Sequence, residues 1–141
     1  MAPVQRKRKK RKLSTVKAAA WDHFSRYIRL KHSVNGYCTC VTCGVLKHWK
    51  DIDAGHYVPK SRGNSIYFVE ENVHPQCRAC NRFKGGMLIE YGIYMQSMYG
   101  PNIDDYLLKL SRQTLHFTLN DYEEIEQEYR LMANELEQML G

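Results

Sequence analysis

The sequence predicts an α+β fold: a small zinc-stapled core of short strands, flanking helices, and a long C-terminal helix. Three observations predict it. Cys40-Val-Thr-Cys43 and Cys77-Arg-Ala-Cys80 form two Cys-x-x-Cys pairs with 33 residues between them. The stretch they enclose is irregular and rich in Cys, His, Gly and Asp, which leaves room only for short strands. Beyond it, apolar residues recur at helical spacing up to the C-terminus. The 141 residues fit one domain with a helical appendage, small enough that a metal staple aids folding.

Taken in order, residues 1–13 read as a disordered basic arm, residues 14–117 as the zinc-stapled domain, and residues 118–141 as a C-terminal amphipathic helix. Ser14 or Thr15 caps a first helix reaching about His32, with Val16, Ala20, Trp21, Phe24 and Ile28 on one face. Asn35-Gly36 ends it in a turn. Strands are expected over 51–58 and 66–73, with a loop from Pro59 to Asn64. A helix is expected from about Asn81 to Tyr99, weakened in its first turns by Gly85-Gly86 and ended by Gly100-Pro101. A shorter one covers about 102–112.

Asn120 followed by Glu123 reads as a capping box for the last helix. Tyr122, Ile125, Tyr129, Met132, Leu136 and Met139 then alternate steps of three and four. That spacing is the seam of a coiled coil and predicts a homodimer; an amphipathic helix packing on its own domain has the same pattern.

The net charge is +6, unevenly placed. Arg6, Lys7, Arg8, Lys9, Lys10, Arg11 and Lys12 are consecutive, residues 13–117 add +5, and residues 118–141 carry −6. A basic front and middle with an acidic tail predict a polyanion partner for the first part only. No apolar run is long enough to cross a membrane, and none follows the basic run as an export signal would. Cytoplasmic residence with reduced thiols is therefore expected, and paired thiols there bind metal rather than forming disulfides.

Cys40, Cys43, Cys77 and Cys80 thus form a candidate structural zinc site, since each tight turn brings two thiolates to one tetrahedral ion. Cys38 lacks the preferred spacing and reads as a non-ligand. Between and beside the pairs lie Asp53, His56, His74 and Asn81. Hydrolysis of a phosphodiester needs a base to activate water and a cation to stabilise charge. His56 suits the first role because imidazole titrates near neutrality. Asp53 and Asn81 offer the oxygen ligands that Mg²⁺ or Mn²⁺ takes, with several positions left to water and phosphate. Lys60, Arg62, Arg78, Arg82 and Lys84 are expected to hold backbone phosphates by charge, reading shape rather than bases.

These residues resemble the HNH, or ββα-metal, nucleases. Cys77-Arg-Ala-Cys80-Asn81-Arg-Phe-Lys84 is similar to the zinc-bearing branch, to which the junction resolvase recombination endonuclease VII belongs. A closer resemblance is to the NinG (Rap) recombination proteins of lambdoid phages. It rests on Cys40-Val-Thr-Cys43-Gly44, Asp53-Ala-Gly-His56-Tyr57, Glu71-Asn-Val-His74-Pro-Gln-Cys77 and Cys80-Asn81 through Lys84-Gly85. Phe117-Thr118 and Glu124, Ile125 and Tyr129 in the acidic helix extend it over roughly residues 40–135. The resemblance implies a structure-selective DNA endonuclease acting on branched DNA such as Holliday junctions and D-loops. It makes His56 the general base, Asn81 a catalytic-metal ligand and the four cysteines zinc ligands.

One departure bears on the site. Many HNH nucleases carry a metal-binding Asp immediately before the base, where this chain has Gly55. The second ligand is then Asp53, on a strand bent at Ala54-Gly55, ahead of His74, which is either the ligand instead or a residue packed near the zinc. Two other functions compete with this one. A zinc module that binds nucleic acid without cutting would explain the cysteines and the basic arm. A sequence-specific restriction or homing nuclease would need a helix or repeat that reads base edges, and none is evident.

Overall fold

The computed structural model describes residues 10–140 of the chain. Arg6, Lys7, Arg8 and Lys9, and most of the expected disordered arm, lie outside the described residues. Five helices and two hairpins make an α+β arrangement: α1 (Leu13–Lys31), β1 (Tyr37–Thr39), β2 (Leu46–His48), β3 (Asp53–His56), α2 (Asn64–Tyr67), β4 (Val73–Gln76), α3 (Leu88–Tyr99), α4 (Ile103–Ser111) and α5 (Leu119–Leu140). No described helix is long and apolar enough to cross a membrane.

The centre is the antiparallel β3–β4 hairpin, in unbroken register from Asp53↔Gln76 to His56↔Val73. Because strand side chains alternate, its two faces receive different partners. Ala54 and Val73 pack against Phe24 and Ile28 of α1 and Tyr129 of α5. On the opposite face lie Asp53, Gly55, His74 and Gln76, covered by α3 and by the segment joining β4 to it.

A hydrogen-bonded chain fixes that second face. The Tyr99 hydroxyl donates to His74 Nε2 (2.7 Å), His74 Nδ1–H donates to the Tyr91 oxygen (3.2 Å), and the Tyr91 hydroxyl donates to the Gly55 carbonyl (2.6 Å). His74 and Tyr91 are fully buried, so every member of this network must be paired. Burial, reinforced by His32 and Lys31, holds the His74 imidazole neutral and brings its pKa down to about 3.

Four expectations are corrected here. The strand expected over 66–73 lies instead at Val73–Gln76, because residues 64–72 fold into α2 and a 3-10 turn that bury Ile66 and Asn72. Asn72 replaces sheet bonding there: its amide donates to Val58 O, and its carbonyl accepts from Val58 N. The helix expected from Asn81 is broken in two. A π-helical turn, Ala79–Phe83, comes first; then Gly85, Gly86 and Met87 take left-handed φ of 63°, 80° and 50° before α3 starts at Leu88. Two adjacent glycines make that passage cheap, and a helix cannot be carried through it.

The capping box also falls two residues earlier than expected. Thr118 Oγ1 accepts from Asp121 N (3.2 Å), and Asp121 Oδ2 accepts from Thr118 N (2.8 Å), so α5 begins at Leu119. At the other end, the cap expected at Ser14 or Thr15 is also corrected: both lie inside α1, which begins at Leu13 after Lys12 without a side-chain cap.

Helix α5 lies along α1. Of its seam, Tyr122, Ile125, Tyr129, Met132 and Leu136 are buried or half-buried within this chain, and only Met139 faces solvent. Tyr129 stacks edgewise on Phe24, with ring centroids 4.8 Å apart, and meets Tyr27 at 5.2 Å. Arg26–Glu137 (3.1 Å) bridges the same two helices, and Arg11, just ahead of α1, pairs with Glu126 (3.0 Å). The acidic tail thus lies against basic α1, and its apolar seam is used internally.

Candidate functional site

The four cysteines of the two pairs come together. Their sulfurs all lie within 4.8 Å of one another, and Cys43 Sγ is 3.7 Å from Cys77 Sγ. Four thiolates bound tetrahedrally about 2.3 Å from one zinc would sit roughly 3.8 Å apart, so the set fits that ion. Cys40 and Cys43 occupy the tip of the β1–β2 hairpin, where Gly44 N donates to Cys40 O and Gly44 has a φ of 80°, a turn suited to glycine. Cys77 follows β4 directly, and Cys80 lies in the π-helical turn.

Backbone amides donate to two of the sulfurs. Cys77 N donates to Cys40 Sγ (3.2 Å) and Cys80 N to Cys77 Sγ (3.5 Å). Burial raises the Cys40 thiol, but the amides of Cys77, Thr42 and Cys43 and the Thr42 hydroxyl outweigh it and bring the pKa down to about 6. Cys38 stands apart. It is buried, donates to Arg29 O (3.1 Å), and burial pushes it up to about 11. Its reading as a non-ligand agrees with the geometry.

The cysteine cluster joins both hairpins to the π-helical turn, and a cleft of about 500 Å³ opens beside it. Asp53, His56 and Asn81 all line this cleft. So do Arg29, Lys50, Lys60, Arg78 and Arg82, five cations with Asp53 as the one carboxylate among them. Lys60, Arg78 and Arg82 stand where the sequence placed them. Arg62 lies outside the cleft, in a smaller hollow beside α4, and Lys84 is exposed past the π-helical turn. Lys10 and Lys12 are exposed; Arg11 is taken by Glu126.

His56 is held by two contacts. Its Nε2–H donates to the Tyr67 carbonyl (2.9 Å), so the neutral ring keeps its lone pair on Nδ1. The ring stacks on Trp21 of α1, centroids 4.9 Å apart and planes 19° apart. Burial lowers the imidazole pKa; the Tyr67 carbonyl opposes this and Lys60 adds to it. The side chain is therefore a neutral acceptor at neutral pH.

Asp53 and Asn81 meet on the other face of β3. Asn81 Nδ2 donates to Asp53 Oδ2 (3.0 Å), and Arg82 clasps both carboxylate oxygens at 2.8 and 2.9 Å, with Arg78 at 3.9 Å. The Asp53 carboxyl is desolvated, which alone would raise its pKa, yet Arg82, Asn81 and Arg78 hold it below the usual carboxylate range. The expected bend at Ala54-Gly55 is not needed. Asp53 reaches Asn81 from a regular strand, because residues 53 and 55 share one face.

His74 is a correction. Both its nitrogens are engaged by tyrosines in the core, so it has no lone pair to offer a cation.

Sequence reasoning missed the contribution of α1. Trp21, Ser25 and Arg29 line the cleft and recur every four residues, so they form one stripe of the helix. The spacing was legible; what it faces depends on packing between elements distant in sequence.

The chain is similar to proteins named ninG from several phages. It is 30% identical to that of Escherichia phage lambda over 99 residues, covering 69% of this chain and 47% of the relative. The Salmonella phage P22 protein matches at 29% over 100 residues, again covering 69% and 47%. The Escherichia phage 933W protein matches at 35% over 68 residues, covering 47% and 32%. The matched part of the chain thus spans about half the length of these relatives, or less. No solved structure matches. The model of the family described as bacteriophage lambda NinG protein matches residues 2–139, and the chain belongs to the NinG family.

Proposed function

We propose that this chain is an endonuclease of the HNH, or ββα-metal, class that cuts branched DNA such as Holliday junctions and D-loops with the help of a divalent cation. The observation that carries the reading is His56: a neutral imidazole with Nε2–H tied to a carbonyl and Nδ1 left as an acceptor, in a cleft that also presents Asn81 and Asp53. On this reading the β3–β4 hairpin and the π-helical turn are the ββα-metal element, clamped by zinc at the four cysteines.

Each group then has a role. His56 Nδ1 takes the proton of the attacking water, and stacking on Trp21 keeps the ring oriented for that transfer. Asn81 and Asp53 would hold the cation through oxygen. A bound Mg²⁺ or Mn²⁺ stabilises charge on the scissile phosphate and the leaving oxygen. Arg29, Lys50, Lys60, Arg78 and Arg82 draw the DNA backbone into the cleft without reading its bases. Paired cuts across a branch need two sites. A homodimer would supply them through a surface other than the α5 seam.

One observation favours a second reading, a zinc module that binds DNA without cutting. Arg82 occupies both Asp53 oxygens, as a purely structural ion pair would. Cleavage of a labelled four-way junction and of matched linear duplex, in Mg²⁺ and in EDTA, separates the two. Junction-selective cutting that stops in EDTA and falls by at least about 100-fold in His56→Ala, with zinc retained, is expected of the nuclease. Tight junction binding that survives EDTA, with no cutting in any condition, would establish the binding module.

A further inference from the structure

Gly55 leaves a gap where many HNH nucleases carry a metal-binding carboxylate, and another residue has moved into it. A Cβ built on Gly55 would lie 2.2 Å from Gln76 Oε1 and 3.0 Å from Asn81 Oδ1. Two side-chain oxygens therefore converge on the one point that a side chain at position 55 would fill. Any residue larger than glycine would collide with Gln76, which accounts for a glycine inside a strand.

Gln76 is fully buried, and its Oε1 has no hydrogen-bond partner, one of three such buried side-chain atoms among the described residues. The amide cannot turn over to hide that oxygen. Its Nε2 donates to Gly86 O (2.7 Å), which only accepts, and to Thr42 Oγ1 (3.2 Å). A buried oxygen with no donor costs about 1–3 kcal/mol and calls for a partner. The neighbours that would surround that partner are Asn81, a residue of the cleft wall, and Asp53, which pairs with Gln76 across the hairpin. An all-oxygen set with one carboxylate suits a hard divalent cation, whose ligands stand about 2.1 Å from its centre for Mg²⁺.

We propose that Gln76 Oε1 is a ligand of the divalent cation taken by this cleft, standing in for the side chain that Gly55 lacks. The inference rests on the nuclease reading for the cation's presence, and it assigns the ligand set as Gln76, Asn81 and Asp53. It also couples the two metal sites. The amide that carries Oε1 lies behind the cleft wall formed by Asn81 and Gly86 and is anchored on Thr42, whose hydroxyl lies 3.4 Å from Cys40 Sγ of the cysteine cluster.

The test is Mn²⁺ affinity of the zinc-loaded full chain, read by electron paramagnetic resonance of free Mn²⁺, in wild type and in Gln76→Met, which keeps the length and removes the oxygen. Affinity at least about tenfold weaker in the variant is expected, with zinc content and far-UV circular dichroism unchanged. Equal affinity overturns the assignment. A second measurement needs no variant: in ¹⁵N-labelled wild type, substoichiometric Mn²⁺ should broaden the Gln76 side-chain amide resonance before that of Asn120 on α5. A sharp Gln76 signal under those conditions also overturns it. Cleavage is followed in parallel. A wild type that cuts DNA, with Gln76→Met binding Mn²⁺ equally well, removes Gln76 and leaves the nuclease standing. A wild type that binds no Mn²⁺ removes both.

Discussion

The indole of Trp21 lies nearly parallel to the imidazole of His56, with centroids 4.9 Å apart, so a helix outside the β3–β4 hairpin forms one wall around its histidine. Burial lowers the imidazole pKa, and Trp21 covers one face of the ring. A base must be unprotonated to act, so cleavage should rise with pH through the His56 pKa and be level above about pH 7. The acid limb should lie below 6.5, the ordinary value. Trp21→Ala re-exposes the ring, so its limb should move up toward 6.5 while the plateau rate falls, by about tenfold. A pH–rate profile of kcat/KM for both proteins checks this. An unshifted limb would mean that Trp21 serves only the core.

The Asp53–Arg82 pair predicts a change of opposite sign in two measurements. Arg82 neutralises the one carboxylate of the cleft while adding to its positive field. Arg82→Ala should weaken junction binding and lower the salt dependence of that binding by about one counterion. It should also tighten Mn²⁺ binding, because both Asp53 oxygens are released. Fluorescence anisotropy over a salt series and a Mn²⁺ titration read the two effects. Weakening of both would mean that Arg82 orients Asp53 for the cation rather than competing with it.

Much of this site was legible in the sequence for a physical reason. Zinc ligands must be particular atoms at particular spacings, and two Cys-x-x-Cys turns have few other uses; Asp-x-x-His alone is a weak signal and gains weight only from lying between the cysteine pairs with Asn81 beside the last. Those positions, with Asn81, come together in the structure. What the sequence hid was non-local or unpatterned. Nothing local says that Trp21 meets residue 56, or that Gln76 reaches under Gly55. The strand misplaced at 66–73 was apolar enough to read as extended, but Asn72 supplies backbone partners from its side chain and frees that segment from a sheet. His74 looked like a ligand because its type is right; only the tyrosines, distant in sequence, show that both its nitrogens are used.

Zinc should be inseparable from folding, and the fifth cysteine should not. A chain of this size with short strands draws much of its stability from the staple. Cys77→Ser should therefore abolish stoichiometric zinc and collapse the thermal transition. Cys38→Ser should retain one zinc per chain, since Cys38 Sγ only donates to Arg29 O. Zinc content by atomic absorption, set beside circular dichroism melts, checks both. Loss of zinc in Cys38→Ser would replace one of the four assigned ligands.

The α1–α5 contact carries the last prediction. Tyr129 joins three parts of the chain: it packs on Phe24 and Tyr27 of α1, and its hydroxyl donates to Glu70 Oε2 (3.1 Å) ahead of β4. Truncation to Ala would leave a cavity beside Phe24 and an unpaired carboxylate oxygen, at a cost of about 3–5 kcal/mol. Tyr129→Phe keeps the ring and loses only the hydrogen bond, about 1 kcal/mol. Urea unfolding midpoints give both values. The same variants address association. The seam that would pair two copies is already filled by α1, so neither substitution should change the sedimentation coefficient of the folded chain at micromolar concentration. A shift from dimer to monomer in Tyr129→Ala, with the fold intact, would mean that α5 leaves α1 to pair with its copy.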